Sequence, residues 1–450
     1  MRLATMQGGR LAADPRECQL TDSFEALARQ GGGVRNLKDK EERGLSIESS
    51  LQGMFRSGSL DVILPSKRRL VLGDRTGPPV VVAIRDNLTL AKIVARPSLA
   101  AGEAYMDERL VLEQGTLHDL VDMSARNAGD RPGGPRVGAM QRWWTKQMEE
   151  RNERASSRRN VAHHYDLSAD FYRLFLDEDL QYSCAYFEGP DSSLEEAQLA
   201  KKRHIAAKLA LAPGQRVLDI GCGWGGMALA LAAWSDARVD GVTLSTEQFD
   251  AAQSRAEAAG RAGQVRFSLT DYRDATGPYE RIVSVGMFEH VGRPNYQTFF
   301  DKIASLLTDD GVALIHSIGR AEGPSTTDLF TAKYIFPGGY IPALSEVLPA
   351  VERAGLWVTD IEVLRLHYAM TLRIWLTRFL ERRVDVATLY DERFCRMWEF
   401  YLSGAEMGFR YGGHMNFQLQ LTKRKNALPI TRDYMGVNER TLNEVLKRAA

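Results

Sequence analysis

The first third of the chain sets short apolar runs between glycines and prolines. Gly58 to Gly73 reads as two short strands around a turn, and Pro79 to Arg85 as a third strand rich in β-branched residues. Apolar spacing predicts helices over 89–96, 98–105 and 117–126. These elements make a small α+β domain over 35–126. Residues 1–34 precede it, poor in pattern and ending in Gln30-Gly-Gly-Gly33, and read as a flexible tail. Asn127 to Arg136 is a Gly/Pro-rich linker. Met140 to Arg159 then has helical spacing, with Trp143, Trp144 and Met148 on one side, so 127–159 reads as linker plus amphipathic helix.

Beyond residue 160 strands and helices alternate. Strands are expected at 216–220, 239–244, 265–269, 281–286 and 311–318, with helices at 224–234, 246–259 and 295–307. Such alternation implies an α/β domain with a mainly parallel sheet and helices on both faces. Ligands in these sheets bind beyond the carboxyl ends of the strands.

Composition narrows the field. The 450 residues carry 58 Lys+Arg against 58 Asp+Glu, which argues against a protein that coats long nucleic acid. A sum conceals its distribution, however. Arg142, Lys146, Arg151, Arg154, Arg158 and Arg159 outnumber Glu149, Glu150 and Glu153 on the Trp-bearing helix. A basic helix with tryptophans suits an anionic lipid surface, and packing against the next domain suits it equally. The four cysteines, Cys18, Cys184, Cys222 and Cys395, are far apart and lie beside no His cluster. No disulfide framework and no metal site is expected, and a reducing cytoplasm is the natural compartment. Val217 to Trp234 approaches membrane-span length but contains Asp219 and a glycine cluster, which fits strand–turn–helix better than a bilayer helix.

That segment, Val217-Leu-Asp-Ile-Gly-Cys-Gly-Trp-Gly-Gly226, carries the strongest local signal. A strand running into a Gly-rich turn and a helix exposes backbone N–H groups to a ligand. Asp219 with Gly221 and Gly223 forms D-x-G-x-G, in which the carboxylate can accept from an ammonium group. Gly221, Gly223 and Gly226 also satisfy the dinucleotide fingerprint, so a nicotinamide dehydrogenase stays open at this point. That reading expects an acidic residue about 20 positions on, and Asp240 lies early in its strand. Asp271 can accept from an adenine amino group while Tyr272 offers a ring to the base.

Tyr182-Ser-Cys-Ala-Tyr-Phe187, Leu218 to Gly225, Gly241-Val-Thr-Leu-Ser245, Val285-Gly-Met-Phe-Glu-His-Val-Gly292 and Lys333-Tyr-Ile-Phe-Pro-Gly-Gly339 resemble the cyclopropane-fatty-acyl-phospholipid synthases in order and spacing. The likeness spans 160–425. Gly58-Ser-Leu60 and Gly102-Glu-Ala-Tyr-Met-Asp107 are similar to the small lipid-carrier-like domain that precedes the catalytic domain in larger members. The mycolic acid cyclopropane synthases share the catalytic part without that domain. The resemblance implies a class I methyltransferase fold, Rossmann-like with a mainly parallel seven-stranded sheet, over 160–450.

It also implies chemistry. A methyl group from S-adenosylmethionine would be added across a cis double bond of an unsaturated phospholipid acyl chain in a bilayer. The resulting carbocation needs shelter from water and aromatic faces. Phe187, Tyr186, Phe336, Tyr340, Tyr368 and Trp375 are candidates for such walls. A base must then take a proton from the new methyl. In the family that base is held to be bicarbonate, and the positions matching its ligands are Cys184, Glu289, His316, Ile318 (through its backbone) and Tyr368. Cofactor contacts carry over to Tyr182, Ser183, Gly221, Thr243, Leu244, Gln248, Asp271 and Tyr272. Many relatives carry a cysteine where this chain has Ala405, so a mechanism through that thiol is excluded here.

Relatives with the extra domain are often homodimers, which would set two basic helices on one bilayer. A cytoplasmic enzyme visiting the inner face of the membrane, with no nucleic-acid partner, is therefore expected. Three other readings share the sequence: a methyl-branched or methylene product, a non-catalytic lipid carrier, and methyl transfer to a soluble small molecule.

Overall fold

The computed structural model describes residues 51–128 and 167–449. The expected tail over 1–34 and the basic Trp-bearing helix over 140–159 lie outside the described residues.

A four-stranded sheet comes first: β1 (Ser59–Ile63), β2 (Arg69–Leu72), β3 (Pro79–Ile84) and β4 (Leu110–Gln114), in the order β2-β1-β3-β4. β1 runs parallel to β3, while β2 and β4 pair antiparallel at the edges. Helices α1 (Asn87–Ala95), α2 (Pro97–Met106) and α3 (Leu117–Ala128) accompany it. The strand β4 was not expected. Only Leu110 of its five residues is buried, too brief an apolar period to mark a strand.

The second sheet has seven strands: β5 (Arg216–Ile220), β6 (Arg238–Thr243), β7 (Val265–Leu269), β8 (Tyr279–Val285), β9 (Leu307–Arg320), β10 (Trp357–Leu364) and β11 (His414–Thr422). Their order is β10-β11-β9-β8-β5-β6-β7. Pairing is parallel from β9 through β7, and β11 is antiparallel to both of its neighbours. The α/β fold and the seven-stranded, mainly parallel sheet thus agree with expectation. Its helices are α4 (Ala169–Arg173), α5 (Leu194–Leu209), α6 (Gly226–Ser235), α7 (Thr246–Ala258), α8 (Tyr296–Leu306), α9 (Leu329–Tyr334), α10 (Leu344–Arg353), α11 (His367–Glu381), α12 (Arg383–Leu389), α13 (Glu392–Arg410) and α14 (Asp433–Ala449). Strand order reverses between β5 and β8, which opens a crevice at their carboxyl ends.

Local chemistry explains the helix that backs this crevice. α5 starts at a reciprocal cap in which the Ser193 hydroxyl accepts from the Glu196 backbone and the Glu196 carboxylate from the Ser193 backbone. Its run Lys201-Lys-Arg-His204 is buried, together with Lys208. Each charged head meets a partner: Lys202 pairs with Asp179, Arg203 with Glu188, Lys208 with Glu362, and His204 with both Glu362 and Glu439. Paired charges are the form in which burial is tolerable.

An aromatic core containing Phe171, Phe175, Trp375 and Trp398 joins α4, α11 and α13. The first sheet's helices dock on α13, where Tyr105 donates to Glu399 over 2.9 Å and Tyr411 to Asp122 over 3.0 Å. Among the described residues, no helix is long and apolar enough to cross a membrane.

Candidate active site

A cleft with about 1210 Å³ of empty space, open to solvent at its mouth, lies over the carboxyl ends of β5, β6 and β8. Its wall includes Tyr182, Ser183, Asp219, Gly221, Gly223, Thr243, Leu244, Gln248, Asp271 and Tyr272, the whole set expected to contact a cofactor. Gly221 has φ +77°, and a Cβ there would stand 2.7 Å from the Met287 side chain, so only glycine lets the strand turn so tightly. At the next strand end, the Thr243 hydroxyl donates to Gln248 Oε1 over 3.1 Å, setting that amide in place. Asp271 caps its own turn and accepts from Arg273 Nε over 2.8 Å.

Asp240 lies elsewhere. It accepts from Tyr279 over 3.0 Å and pairs with Arg216 at 3.3 Å, away from the cleft wall. The acidic partner that a nicotinamide ribose would need is therefore missing from this strand end.

Electrostatics single out Asp219. It is 1% exposed, its Oδ2 has no hydrogen-bond partner, and burial pushes its carboxyl up to about 7. An incoming ammonium group would both pair with that oxygen and draw the carboxyl back toward ionisation. The opposite wall is held by α5. Lys201, 0% exposed, donates to Gln181 Oε1 over 2.6 Å and to Ser183 Oγ over 2.8 Å. Gln198, one turn earlier, donates to the backbone carbonyls of Gln181 and Ser183.

None of the residues expected to hold bicarbonate lines this cleft. Glu289 and Ile318 are in contact: the Ile318 N–H, beyond the end of β8, donates to Glu289 Oε1 over 2.5 Å. The other oxygen, Oε2, is buried without a partner, and burial pushes the Glu289 carboxyl up to about 7. His316, two residues before Ile318 on the same face of β9, stands between two amides of β11. Asn416 Nδ2 lies 3.3 Å from its Nε2, and Gln418 Nε2 lies 3.2 Å from its Nδ1. Burial lowers the imidazole to about 3, so the ring is neutral and carries one N–H. That N–H needs an acceptor, and the unpartnered amide oxygens of Asn416 and Gln418 are the candidates within a side-chain flip. Cys184 donates to the Ala185 carbonyl over 3.3 Å, and burial raises its thiol far above the usual range, which rules out a thiolate nucleophile. Cys184 and Tyr368 belong to one buried cluster, against which Ile318 also packs.

Of the aromatic wall, Phe187, Phe336, Tyr368 and Trp375 gather in that same cluster. Two others differ from expectation. Tyr186 is stacked between His204 and His367, at 4.3 and 4.9 Å, and has no face left for a cation. Tyr340 packs in the core on β8 and β9 and donates to Glu346. Tyr182 instead contributes, stacked on Trp375 at 5.1 Å with its hydroxyl 3.2 Å from that of Tyr401. Sequence reasoning also missed His290, which lines the cleft, and Lys201, Asn416 and Gln418. A lysine in a charged helical run and polar residues alternating along a strand both look solvated by pattern alone.

The family model for mycolic acid cyclopropane synthetase matches residues 152–419. A probable fatty acid methyltransferase of Pseudomonas putida is 39% identical over 287 residues, covering 61% of this chain and 73% of that protein. The cyclopropane-fatty-acyl-phospholipid synthase of Escherichia coli strain K12 is 43% identical over 247 residues, covering 55% of this chain and 63% of the relative, just under two thirds of its length. Among solved structures, that of the cyclopropane synthase MmaA2 from Mycobacterium tuberculosis superposes with a TM-score of 0.56 at 36% identity, covering 59% of this chain and 97% of that one. The mycolic acid cyclopropane synthase CmaA1 complexed with SAH and CTAB gives the same figures.

Proposed function

As a member of the mycolic acid cyclopropane synthetase family the chain is an S-adenosylmethionine-dependent methyltransferase, and we propose that it converts a cis double bond of an unsaturated phospholipid acyl chain into a cyclopropane ring. The cofactor fits the cleft on chemical grounds: an unpartnered buried carboxylate for an ammonium, a glycine turn that no side chain fills, and an amide and an aromatic ring further along. When bound it supplies an electrophilic methyl group.

One observation carries the reading. The single turn Phe288–His290 puts His290 on the cleft wall and Glu289 on the other side, against Ile318. A methyl donor and a proton-accepting region would thus share one thin wall. The π pair of the alkene takes the methyl, leaving a positive charge on the chain. Loss of a proton from the new methyl then lets that C–H electron pair close the ring. Trp375, Tyr368 and Phe336, which gather in one aromatic cluster, would form the water-poor surroundings that such a cation requires. Glu289, whose carboxyl burial raises to about 7 so that it can gain or lose a proton near neutral pH as an amide cannot, would hold bicarbonate through Oε2, and bicarbonate would supply the base. Cys184, His316, Ile318 and Tyr368 would complete its surroundings. The Ile318 N–H is already given to Glu289, so its part is to aim that carboxyl.

We further read the enzyme as peripheral, meeting anionic lipid through the Trp-bearing stretch 140–159 from the cytoplasmic side, with no nucleic-acid partner and as a homodimer. The small domain, 35–126, would present the lipid.

The test is incorporation of labelled methyl from S-adenosylmethionine into vesicles of unsaturated phospholipid, with mass spectrometry of the product before and after mild hydrogenation. A cyclopropane resists hydrogenation that saturates an alkene. Failure to label any unsaturated phospholipid would sink the proposal, and labelling without vesicles would favour a soluble substrate. The similarity to the Pseudomonas putida methyltransferase supports one alternative, a methyl-branched or methylene acyl chain. It would appear as a product that hydrogenation alters or as a branched chain.

A further inference from the structure

Lys201 is a charge without an evident duty in the chemistry above. Removing an ammonium from water is costly, and its helix would be simpler with leucine there. The structure spends two of its three N–H groups on the cleft wall, on Gln181 Oε1 and Ser183 Oγ. Gln198 fixes the backbone of the same two wall residues from the neighbouring turn. The Ser183 hydroxyl, having accepted from Lys201, retains its own proton to give. Across the wall stands Asp219, whose ionised form Lys201 favours electrostatically. Lys201 itself stands behind the wall, and the arginine that does line the cleft, Arg273, is ion-paired to Asp271 at another strand end. One end of the cleft therefore offers an anion, Asp219, and a donor polarised by a buried cation, Ser183.

We propose that Lys201 is a positioning residue for the amino-acid end of the cofactor: it orients Ser183 to donate to the cofactor carboxylate while Asp219 receives the ammonium. This rests on the cleft being the S-adenosylmethionine site. The lysine remains largely charged at neutral pH, lowered by burial only to about 8. A purely structural role, neutralising Asp177 and holding a turn, is the competing explanation, and a pair of ligands separates the two.

Binding to the full-length protein is measured by calorimetry with S-adenosylhomocysteine and with its decarboxylated analogue, which keeps the ammonium and lacks the carboxylate. Wild-type protein should bind S-adenosylhomocysteine the more tightly. Its failure to bind at all would overturn the site assignment itself, separately from the role of Lys201. Lys201→Met, nearly isosteric and neutral, should weaken S-adenosylhomocysteine by ~10–100-fold, the span of a charge-assisted hydrogen bond, yet change the analogue by no more than about 3-fold. Ser183→Ala keeps the lysine and should lose the same carboxylate-dependent increment, with little added loss in the double variant. Equal weakening of both ligands in Lys201→Met, or full retention of the carboxylate preference in Ser183→Ala, would overturn the proposal. Thermal melting confirms which variants are folded, and Ser183→Ala answers the question where Lys201→Met does not fold.

Discussion

Replacing Glu289 by Gln should cost the enzyme its turnover and make the fold more stable. The carboxyl is 8% exposed, and burial moves it from 4.5 up to about 7 even with the Ile318 N–H helping the charged form. Its folded value lies above its unfolded one, so the folded state holds the proton more tightly. The cost of ionising it in place is absent below pH 4.5, grows as the pH rises toward 7, and is fully present above that. At about 1.4 kcal/mol per pH unit the plateau is worth ~3 kcal/mol. Glutamine mimics the neutral form and escapes the cost, and its Oε1 can still accept from Ile318. Urea unfolding should show Glu289→Gln about 3 kcal/mol more stable than wild type at pH 8 and nearly equal to it at pH 4.5. Turnover on phospholipid vesicles should fall by ~10²–10⁴-fold, the usual contribution of a positioned proton-transfer group. S-adenosylhomocysteine affinity should stay within a few-fold, since Glu289 is not on the cleft wall. Stability gained with function lost is the signature of a group kept for chemistry. Retained turnover, or a variant less stable at pH 8, would refute the reasoning.

Gln418→Leu removes one amide from His316 and leaves a buried ring nitrogen unpaired; we expect a loss of ~1–3 kcal/mol in stability. Nitrogen-15 spectra of the imidazole should shift from one tautomer to a mixture, and an unchanged tautomer would mean Gln418 does not set it. Gly221→Ala forces a side chain into left-handed backbone and onto Met287, costing about 1–2 kcal/mol from conformation alone. Calorimetry should detect no S-adenosylhomocysteine binding in that variant, and near-normal affinity would contradict the close approach. Asp240→Asn should leave S-adenosylhomocysteine affinity unchanged, because its partners are Arg216 and Tyr279 rather than the cleft. A marked loss would return the ribose-holding role to Asp240.

The half of the sheet from β5 to β9 was legible because short strands alternate there with helical spacing: Val217 to Ile220 of β5 form a buried run ended by Gly221, and the edge strand β7 sets buried Val265 and Phe267 against exposed Arg266 and Ser268. Arg216–Ile220 and Val265–Leu269 fall where the pattern put them. Of the cofactor set, Asp219, Gly221, Gly223, Asp271 and Tyr272 could be read from strand ends, whereas Tyr182, Ser183, Thr243, Leu244 and Gln248 came from the family resemblance; all of them line one cleft. Pattern failed on β11, whose Asn416, Gln418, Gln420 and Thr422 are all at most 1% exposed. Polar residues alternating along a strand ordinarily mark a face in water, whereas here that face lies against His316 and α5, with Gln420 donating to the Lys208 carbonyl over 2.6 Å. Lys201 was hidden likewise, because partners that make a buried charge tolerable come from distant parts of the chain. The aromatic wall was half legible: which tyrosine keeps a free face depends on stacking partners such as His204 and His367, fixed only in three dimensions.

The place of β11, inserted between β9 and β10, has a consequence for biosynthesis. Every residue lining the cofactor cleft lies between Leu180 and Asn295. The amides that clamp His316 lie 100 and 102 positions after it. A nascent chain that has left the ribosome as far as β9 therefore holds the parts for binding the methyl donor, but the edge of β9 still waits for its partner strand. Long-range strand pairing of this kind is slow and leaves an open edge meanwhile. On the proposed mechanism, the order of synthesis thus separates the two halves of the chemistry, with the proton-handling half assembled last.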